Sequence, residues 1–174
     1  KGKANAWSNN IRASYTQGIY AYGNLGNTFI YNKNKVSFSV SADGNLGHQA
    51  QNTKLDVAYP DQYWQGMDKA KSKVNSFNGR LNFNYDLDSL SSLGFIVQYQ
   101  EYYPDVLTRS HYDISKNGNL FNQVNTLSNS KETTTSTSLN LNYKRLLDAK
   151  GRKFSFDADY FTNKENKSNA FDTR

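Results

Sequence analysis

The chain has 174 residues, enough for one domain, of which 36% are hydrophobic and 14% aromatic, and its formal net charge is +6. This hydrophobic content is low for a large dry core, and the aromatic content is too high for a disordered chain. No run of about 18 apolar residues occurs, so no transmembrane helix is predicted. The polar start at residues 1–5 predicts no signal peptide. The absence of cysteine excludes disulfides and thiolate metal sites.

The positive charge is scattered along the chain. Its densest group, Lys69, Lys71 and Lys73, falls in a segment that we predict to be a loop. The aromatic residues follow the period of a strand rather than the pattern of a nucleic-acid recognition motif. We therefore predict no nucleic-acid partner.

The first strands are predicted at residues 10–17, 24–31 and 36–45. Apolar and polar residues alternate there with period two, which is typical of strands whose two faces meet different surroundings. Around a turn at residues 32–35, pairing Tyr31 with Val36 places the apolar residues of both strands on the same face of the hairpin. The pairs that follow are Phe29 with Phe38 and Asn27 with Val40, leaving Ser37, Ser39 and Ser41 on the opposite face.

A polar connection of about 30 residues is predicted between 46 and 77, whereas loops in compact soluble domains have about 4 to 6. Its most distinctive stretch is YPDQYWQG at residues 59–66. Tyr59, Tyr63 and Trp64 offer stacking faces for a sugar ring or another flat apolar ligand, which predicts a binding site. The alternative is that these aromatic residues anchor the loop to the rim of the sheet.

A second hairpin is predicted from strands at residues 78–87 and 93–102, with Leu87 opposite Leu93. This register pairs Tyr85 with Phe95, Phe83 with Val97, and Leu81 with Tyr99. The stretch LNFNYDLD at 81–88 recurs as LNLNYKRLLD at 139–148. An Asn-x-Asn-Tyr strand end therefore precedes an acidic turn twice.

A second polar connection of about 30 residues is predicted at 103–133, before strands at 134–146 and 153–162. Residues 148–151 have the composition of a tight turn. If Leu147 pairs with Arg152, the apolar rows of both strands fall on one face, and a slip of one residue would separate them. The pairs are Tyr143 with Phe156, Leu141 with Ala158, Leu139 with Tyr160, and Asn142 with Asp157.

These patterns predict an all-β fold, an antiparallel up-and-down meander of about seven strands over residues 1–174, with short turns on one side and long loops on the other. A tilted membrane strand needs about 9 to 11 residues. We interpret the sheet as a segment of a transmembrane β-barrel whose apolar face meets lipid and whose Ser/Asn/Asp face meets a wet lumen. The alternative is a soluble or surface β-sandwich that binds glycans or a protein partner.

Tyrosines at the predicted strand ends indicate two aromatic girdles at the membrane interfaces. Three of them, Tyr31, Tyr85 and Tyr143, each stand just before a short turn and form the first girdle. The second girdle comprises Tyr99, Tyr102, Tyr103 and Tyr160.

No enzymatic chemistry is predicted. His48 and His111 lie in different predicted loops, without a second His at ligand spacing. Asp157 and Asp159 share a strand face, but the asparagines opposite them indicate a hydrated wall rather than a dry pocket that would raise one pKa. We predict no catalytic residue, no metal site and no cofactor.

Two segments carry a resemblance to a known family, GRLNFNYDLDSLSSLGFIVQYQEY at 79–102 and TSLNLNYKRLLDAKGRKFSFDADYF at 137–161. They resemble the outer-membrane β-barrel region of TonB-dependent receptors of the Bacteroidota type. GNLGNTFIYNKNKVSFSVSADGN at 23–45 is similar to the first strands of that barrel, just after the plug. The chain thus looks like the N-terminal part of the barrel.

The resemblance implies a barrel of about 22 strands around a plug, located in the bacterial outer membrane. Such receptors take up a bulky nutrient, for example a glycan, a peptide or a metal chelate. The implied partners are outer-membrane lipid, the rest of the barrel and the plug, the TonB complex that acts through the plug, and a surface lipoprotein. By this resemblance we expect residues 1–174 to contain neither the plug nor a TonB-interacting segment.

Overall fold

The computed structural model describes residues 6–148 and 151–174. The strands of this part are β1 (Ala6–Gln17), β2 (Ala21–Lys33), β3 (Val36–Ala58), β4 (Tyr63–Asp86), β5 (Ser91–Lys116), β6 (Asn119–Leu146) and β7 (Lys153–Thr173). Within these described ranges, no helix is long and apolar enough to cross a bilayer. Two predicted features lie outside the described residues, namely the polar start at 1–5 and the middle of the turn at 148–151.

The seven strands form one antiparallel sheet in which each strand pairs with its neighbours in sequence. The structure thus confirms the predicted all-β meander. The sheet is open, and β1 and β7 are its two edges. All residues of both edge strands are exposed.

Two-residue turns join strands at both ends of the sheet. Asn34 and Lys35 connect β2 to β3, and Asn34 has a φ of 50°, a left-handed conformation that asparagine tolerates. At the opposite end, Asn117 and Gly118 connect β5 to β6 with φ values of 51° and 79°. Such turns match the twist of the strands they join.

The two long connections differ from the sequence prediction. Segments 46–77 and 103–133 are β-hairpins, which continue β3 into β4 and β5 into β6. Their turns occupy only residues 59–62 and 117–118. The strands consequently extend well past the predicted bounds, and β6 alone has 28 residues.

The pairing register confirms one predicted hairpin and corrects two. The register of β6 and β7 is as predicted. The predicted registers of the other two hairpins are wrong by two residues, because the turn after β2 is centred one residue later than predicted and the turn after β4 one residue earlier. Since side chains alternate with period two, this shift leaves each residue on its predicted face. The observed pairs include Leu141 with Ala158, Tyr31 with Phe38, and Tyr85 with Leu93.

The register divides the side chains between two faces. What we name the apolar face carries the odd-numbered residues of β1, β2, β4, β5 and β6 and the even-numbered residues of β3 and β7, up to a register shift after Ile114. The polar face carries the others. Ile114, 6% exposed, is the only buried hydrophobic residue among those described. The sheet is therefore a single layer without a core of its own.

Candidate functional site: the two faces of the sheet

An apolar band crosses the apolar face beside the short turns that follow β2, β4 and β6. One of its rows runs through Tyr85, Leu93, Tyr143 and Phe156 on four successive strands. Ring contacts reinforce the rows, as between Phe83 and Phe95 with centroids 5.1 Å apart, and between Tyr31 and Phe38 at 5.3 Å. Cross-strand contacts of this kind stabilise neighbouring strands by about 0.2–1 kcal/mol each.

The height of the band can be compared with that of a membrane-facing apolar belt, and the exposure of its side chains shows whether protein covers it. From Phe77 to Tyr85 on β4 the band spans about 26 Å along the strand, or about 20 Å perpendicular to a membrane at a tilt of about 40°. Its outermost row is mixed, because Phe77 lies beside Glu101 of β5 and Glu101 lies beside Thr135 of β6. The apolar belt of outer-membrane barrels is about 25 Å tall. No described residue covers the band, since Leu139 and Leu141 are each 41% exposed and Phe156 is 50% exposed.

The predicted girdle tyrosines divide between the faces. Tyr31, Tyr85 and Tyr143 lie on the apolar face at the end where the turns after β2, β4 and β6 lie, and Tyr99, Tyr103 and Tyr160 lie on the same face farther along the strands. Tyr102 pairs with Ser76 and Thr134 on the polar face. Its assignment to a girdle on the apolar face is therefore wrong.

The polar face carries a network of side-chain hydrogen bonds between strands. Asn45 lies at its centre: its Oδ1 accepts hydrogen bonds from Asn24 Nδ2 at 2.9 Å and from the Tyr22 hydroxyl at 2.8 Å. Its Nδ2 donates to Ser76 Oγ at 2.8 Å. The same face shows Asn82 donating to Ser39 at 2.9 Å and Asn140 donating to Asp159 at 2.8 Å. Such a surface favours contact with water or with a polar ligand.

Gly26 allows an ion pair to span three strands of the polar face. Arg12 on β1 and Asp43 on β3 flank Gly26 in register, and Arg12 Nη2 lies 2.7 Å from Asp43 Oδ1. A Cβ at position 26 would collide with the Asp43 carboxylate. The missing side chain therefore lets the two charges meet above β2.

The repeated Asn-x-Asn-Tyr strand ends flank the same strand. Asn84 of the first copy and Asn142 of the second both lie opposite Gly94 on β5. A Cβ at Gly94 would come within 2.6 Å of Asn84 Oδ1 and 2.7 Å of Asn142 Oδ1. The two side chains thus converge over the glycine, which gives the sequence repeat a structural role.

The predicted aromatic binding site lies at the tip of the β3–β4 hairpin. Tyr59 meets Trp64 edge-on with ring centroids 6.0 Å apart, and Trp64 Nε1 donates to Gln62 Oε1 at 3.1 Å. Tyr63 projects from the face opposite Trp64, since the two are consecutive in β4. Its hydroxyl donates to Asp56 Oδ1 at 3.2 Å, and this bond raises the pKa of Tyr63. The three rings therefore do not share one flat platform.

A groove of about 430 Å³ adjoins this tip. Tyr59 and Tyr63 line it together with the neighbouring turn of the β5–β6 hairpin at Asn117 and Gly118. Trp64 does not contribute to it. Ligand binding at the tip stays a prediction, for which the groove provides room on the side of the two tyrosines.

A second groove was missed by sequence reasoning. Lys69 and Lys71, which we expected in a loop, lie in β4 on the apolar face, and Arg109 of β5 pairs with Lys69. These three cations line a groove of about 490 Å³ beyond the apolar band. The period-two spacing of Lys69, Lys71 and Lys73 was the available signal, because it places all three on one face of a strand.

The acidic and histidine residues considered for catalysis are part of the sheet. Asp157 and Asp159 lie on the polar face opposite Asn142 and Asn140, as the sequence indicated. His48 and His111 lie within β3 and β5, and the prediction that they occupy loops is wrong. Among the described residues, no group of three or more His, Asp or Glu could hold a metal ion.

No protein-family model matches the chain, and no curated protein matches it significantly. The functional proposal therefore depends on the chemistry of the two faces and on the resemblance carried by residues 79–102 and 137–161.

Proposed function

We propose that this chain is part of the barrel of an outer-membrane TonB-dependent receptor, which takes up a bulky nutrient such as a glycan, a peptide or a metal chelate. The observation that carries the proposal is the uncovered apolar band on one face of a sheet whose other face is a hydrogen-bonded network of Asn, Ser and Asp. Lipid is the solvent that such a band fits, and a wet lumen is what such a network fits.

The backbone hydrogen bonding also supports a membrane location. A chain in hydrocarbon must pair its N–H and C=O groups internally, and strands β2 to β6 each pair on both sides. The two edges, β1 and β7, lack a second neighbour within the described sheet. Additional strands of a barrel would pair with them, so the rest of the barrel and the plug are the first partners that we propose.

The resemblance supports the receptor class. Residues 79–102 cross the band as the last part of β4 and the first part of β5. Residues 137–161 cross it as the last part of β6 and the first part of β7. In the proposed receptor, energy for uptake comes from a TonB complex acting through the plug, and a surface lipoprotein assists at the outer side. The lumen-facing network would contact the plug or the passing nutrient.

The competing interpretation is a β-sandwich binding module for glycans or a partner protein. A sandwich buries its apolar faces between two sheets about 10 Å apart. The described residues form one sheet, whose apolar face has no second sheet against it. We therefore favour the membrane proposal.

Single cysteines provide the test, because the chain has no native cysteine. Leu141→Cys and Asn140→Cys are neighbours on opposite faces. In intact membranes we expect Cys at position 141 to react only with a lipid-soluble maleimide, and Cys at 140 with a water-soluble one. Protection of position 141 from both reagents would point to a protein core and refute the proposal.

A further inference from the structure

Beyond the apolar band, the apolar face becomes basic. We call the groove of about 490 Å³ described above the basic groove; Lys69, Lys71, Arg109, Tyr20 and Leu107 contribute to its lining. Lys69 and Arg109 are direct cross-strand neighbours, and Lys71 lies two residues along β4 on the same face. Like charges placed opposite each other destabilise a sheet unless an anion lies between them.

The cations of the basic groove lack acidic partners. No ion pair of Lys69, Lys71 or Arg109 is found among the described residues. The nearby carboxylate of Asp105 is 4.0 Å from Lys131 instead. The Lys71 ammonium lies 4.7 Å above the centre of the Tyr20 ring, a contact that positions the charge without neutralising it. The groove therefore offers three positive charges to an external anion.

An apolar groove lies next to the basic groove on the same face. It has a volume of about 790 Å³, and its walls include Ile11, Leu25, Leu46 and Phe77. Small residues, Gly23, Ala42 and Gly44, form its floor. Along β3, Leu46 of the apolar groove is only about 13 Å from Ala50 of the basic groove, a distance that a lipid molecule can span.

We propose that the two grooves together bind an anionic membrane lipid, with its phosphate between Lys69, Lys71 and Arg109 and an acyl chain along the apolar groove. The charge complementarity and the adjoining apolar channel fit an amphiphile better than a free anion. This inference rests on the proposed membrane location, in which the basic groove lies past the band on one headgroup side, with Lys71 about 15 Å beyond Phe77 along the membrane normal. Cations at that level attract anionic lipid electrostatically.

The test uses the 174-residue chain inserted in vesicles of phosphatidylcholine with or without phosphatidylglycerol. The triple variant K69Q/K71Q/R109Q removes the cations of the basic groove. The matched control K33Q/K144Q/R145Q removes three cations at the opposite end of the sheet. We expect the chain to retain phosphatidylglycerol in preference to phosphatidylcholine in native mass spectrometry, and the triple variant alone to lose about tenfold or more of that preference.

Two further experiments distinguish binding of a whole lipid from binding of phosphate alone. Gly44→Leu fills the floor of the apolar groove, where a Cβ meets only the Ser76 carbonyl at 3.6 Å, and it should weaken retention without changing the charge. Inorganic phosphate should not displace the bound phosphatidylglycerol. Displacement by phosphate alone, or full retention in the Gly44→Leu variant, would overturn the assignment of a lipid.

Insertion is monitored independently through Trp7, which is 70% exposed on the apolar face. In a Trp64→Phe background, brominated acyl chains should quench Trp7 fluorescence in all variants. Absence of quenching in the unmodified chain would refute the proposed membrane location, and this inference with it. Quenching together with an unchanged lipid preference in the triple variant would refute the lipid site alone.

Discussion

At the scale of single residues, short polar side chains fix the turns. Asp88 lies in the connection between β4 and β5, where its Oδ1 accepts hydrogen bonds from the backbone N–H groups of Leu90 and Ser91, both at 2.7 Å. The bond from Leu90 is the main cause of a lowered Asp88 pKa, and the bond from Ser91 adds to it. The turn is thus stabilised by the charged form of the carboxylate.

This pKa shift predicts a pH dependence. A carboxylate with a lowered pKa in the folded state contributes stability above its ordinary pKa of about 4, and loses it as the pH falls through the folded-state value. We expect the free energy of unfolding of the chain in detergent to fall below about pH 4, and to fall less steeply in Asp88→Asn. The amide keeps an acceptor oxygen but does not titrate. Urea unfolding at several pH values checks this, and parallel pH profiles for the two proteins would contradict it.

At the scale of strands and hairpins, the sequence indicates faces better than lengths. Alternation of apolar and polar residues is visible only where the two faces meet different surroundings, as for Leu139, Asn140 and Leu141. Beyond the band, both faces carry polar residues. Strand segments such as 119–133 therefore show no alternation of this kind, and their sequence predicts loops instead.

Turn geometry limits the register prediction in the same hairpins. The two-residue turn at Asn34 and Lys35 depends on a positive φ at Asn34, which the flanking lysines do not signal in the sequence. The resulting register error of two residues leaves each side chain on its predicted face of the sheet but gives it a different cross-strand partner. The basic groove escapes prediction for a related reason, because it needs Lys69 and Arg109 to be cross-strand neighbours, and the sequence predicts loops at both positions.

Gly66 provides a test of the extended β4–β5 ladder. It lies opposite Tyr112, and a Cβ at this position would collide with the Tyr112 ring and the His111 carbonyl. We expect Gly66→Ala to destabilise the chain by about 1–3 kcal/mol through overpacking. In Gly79→Ala, the matched control on β4, the new Cβ meets only the edge of Phe77 at 3.4 Å. Urea unfolding should therefore show a larger loss for Gly66→Ala, and equal losses would contradict the pairing of Gly66 with Tyr112.

At the scale of the whole molecule, the open sheet leaves two edges. Leu147 N–H donates to the Arg152 carbonyl at 2.8 Å, and Arg174 and Asn125 exchange two backbone hydrogen bonds. Because hydrogen-bonded pairs alternate along an antiparallel ladder, even-numbered residues of β7 point their N–H groups toward β6 and odd-numbered ones point them outward. The outward groups form a template for another strand.

We expect the isolated chain to self-associate through these edges in detergent. Ser155→Pro removes an outward N–H and should reduce the association while leaving the fold intact, because proline is tolerated at such edge positions. Ala158→Pro, the control, removes an N–H bonded to β6 and should weaken the sheet itself. Sedimentation velocity measures the association, and circular dichroism measures the strand content. A stable monomer of the unmodified chain at all concentrations would contradict the expectation.

The Arg12–Asp43 ion pair gives the exposed edge strand a second attachment. Hydrogen bonds join β1 to β2 alone, yet this pair ties it to β3 across Gly26. Fraying of β1 must separate the two charges as well as break the hydrogen bonds between β1 and β2. A bulkier residue at position 26 of β2 would therefore weaken the attachment of β1. An additional strand that pairs with this edge would accordingly meet a β1 already held in place, with its outer hydrogen-bonding groups presented for pairing.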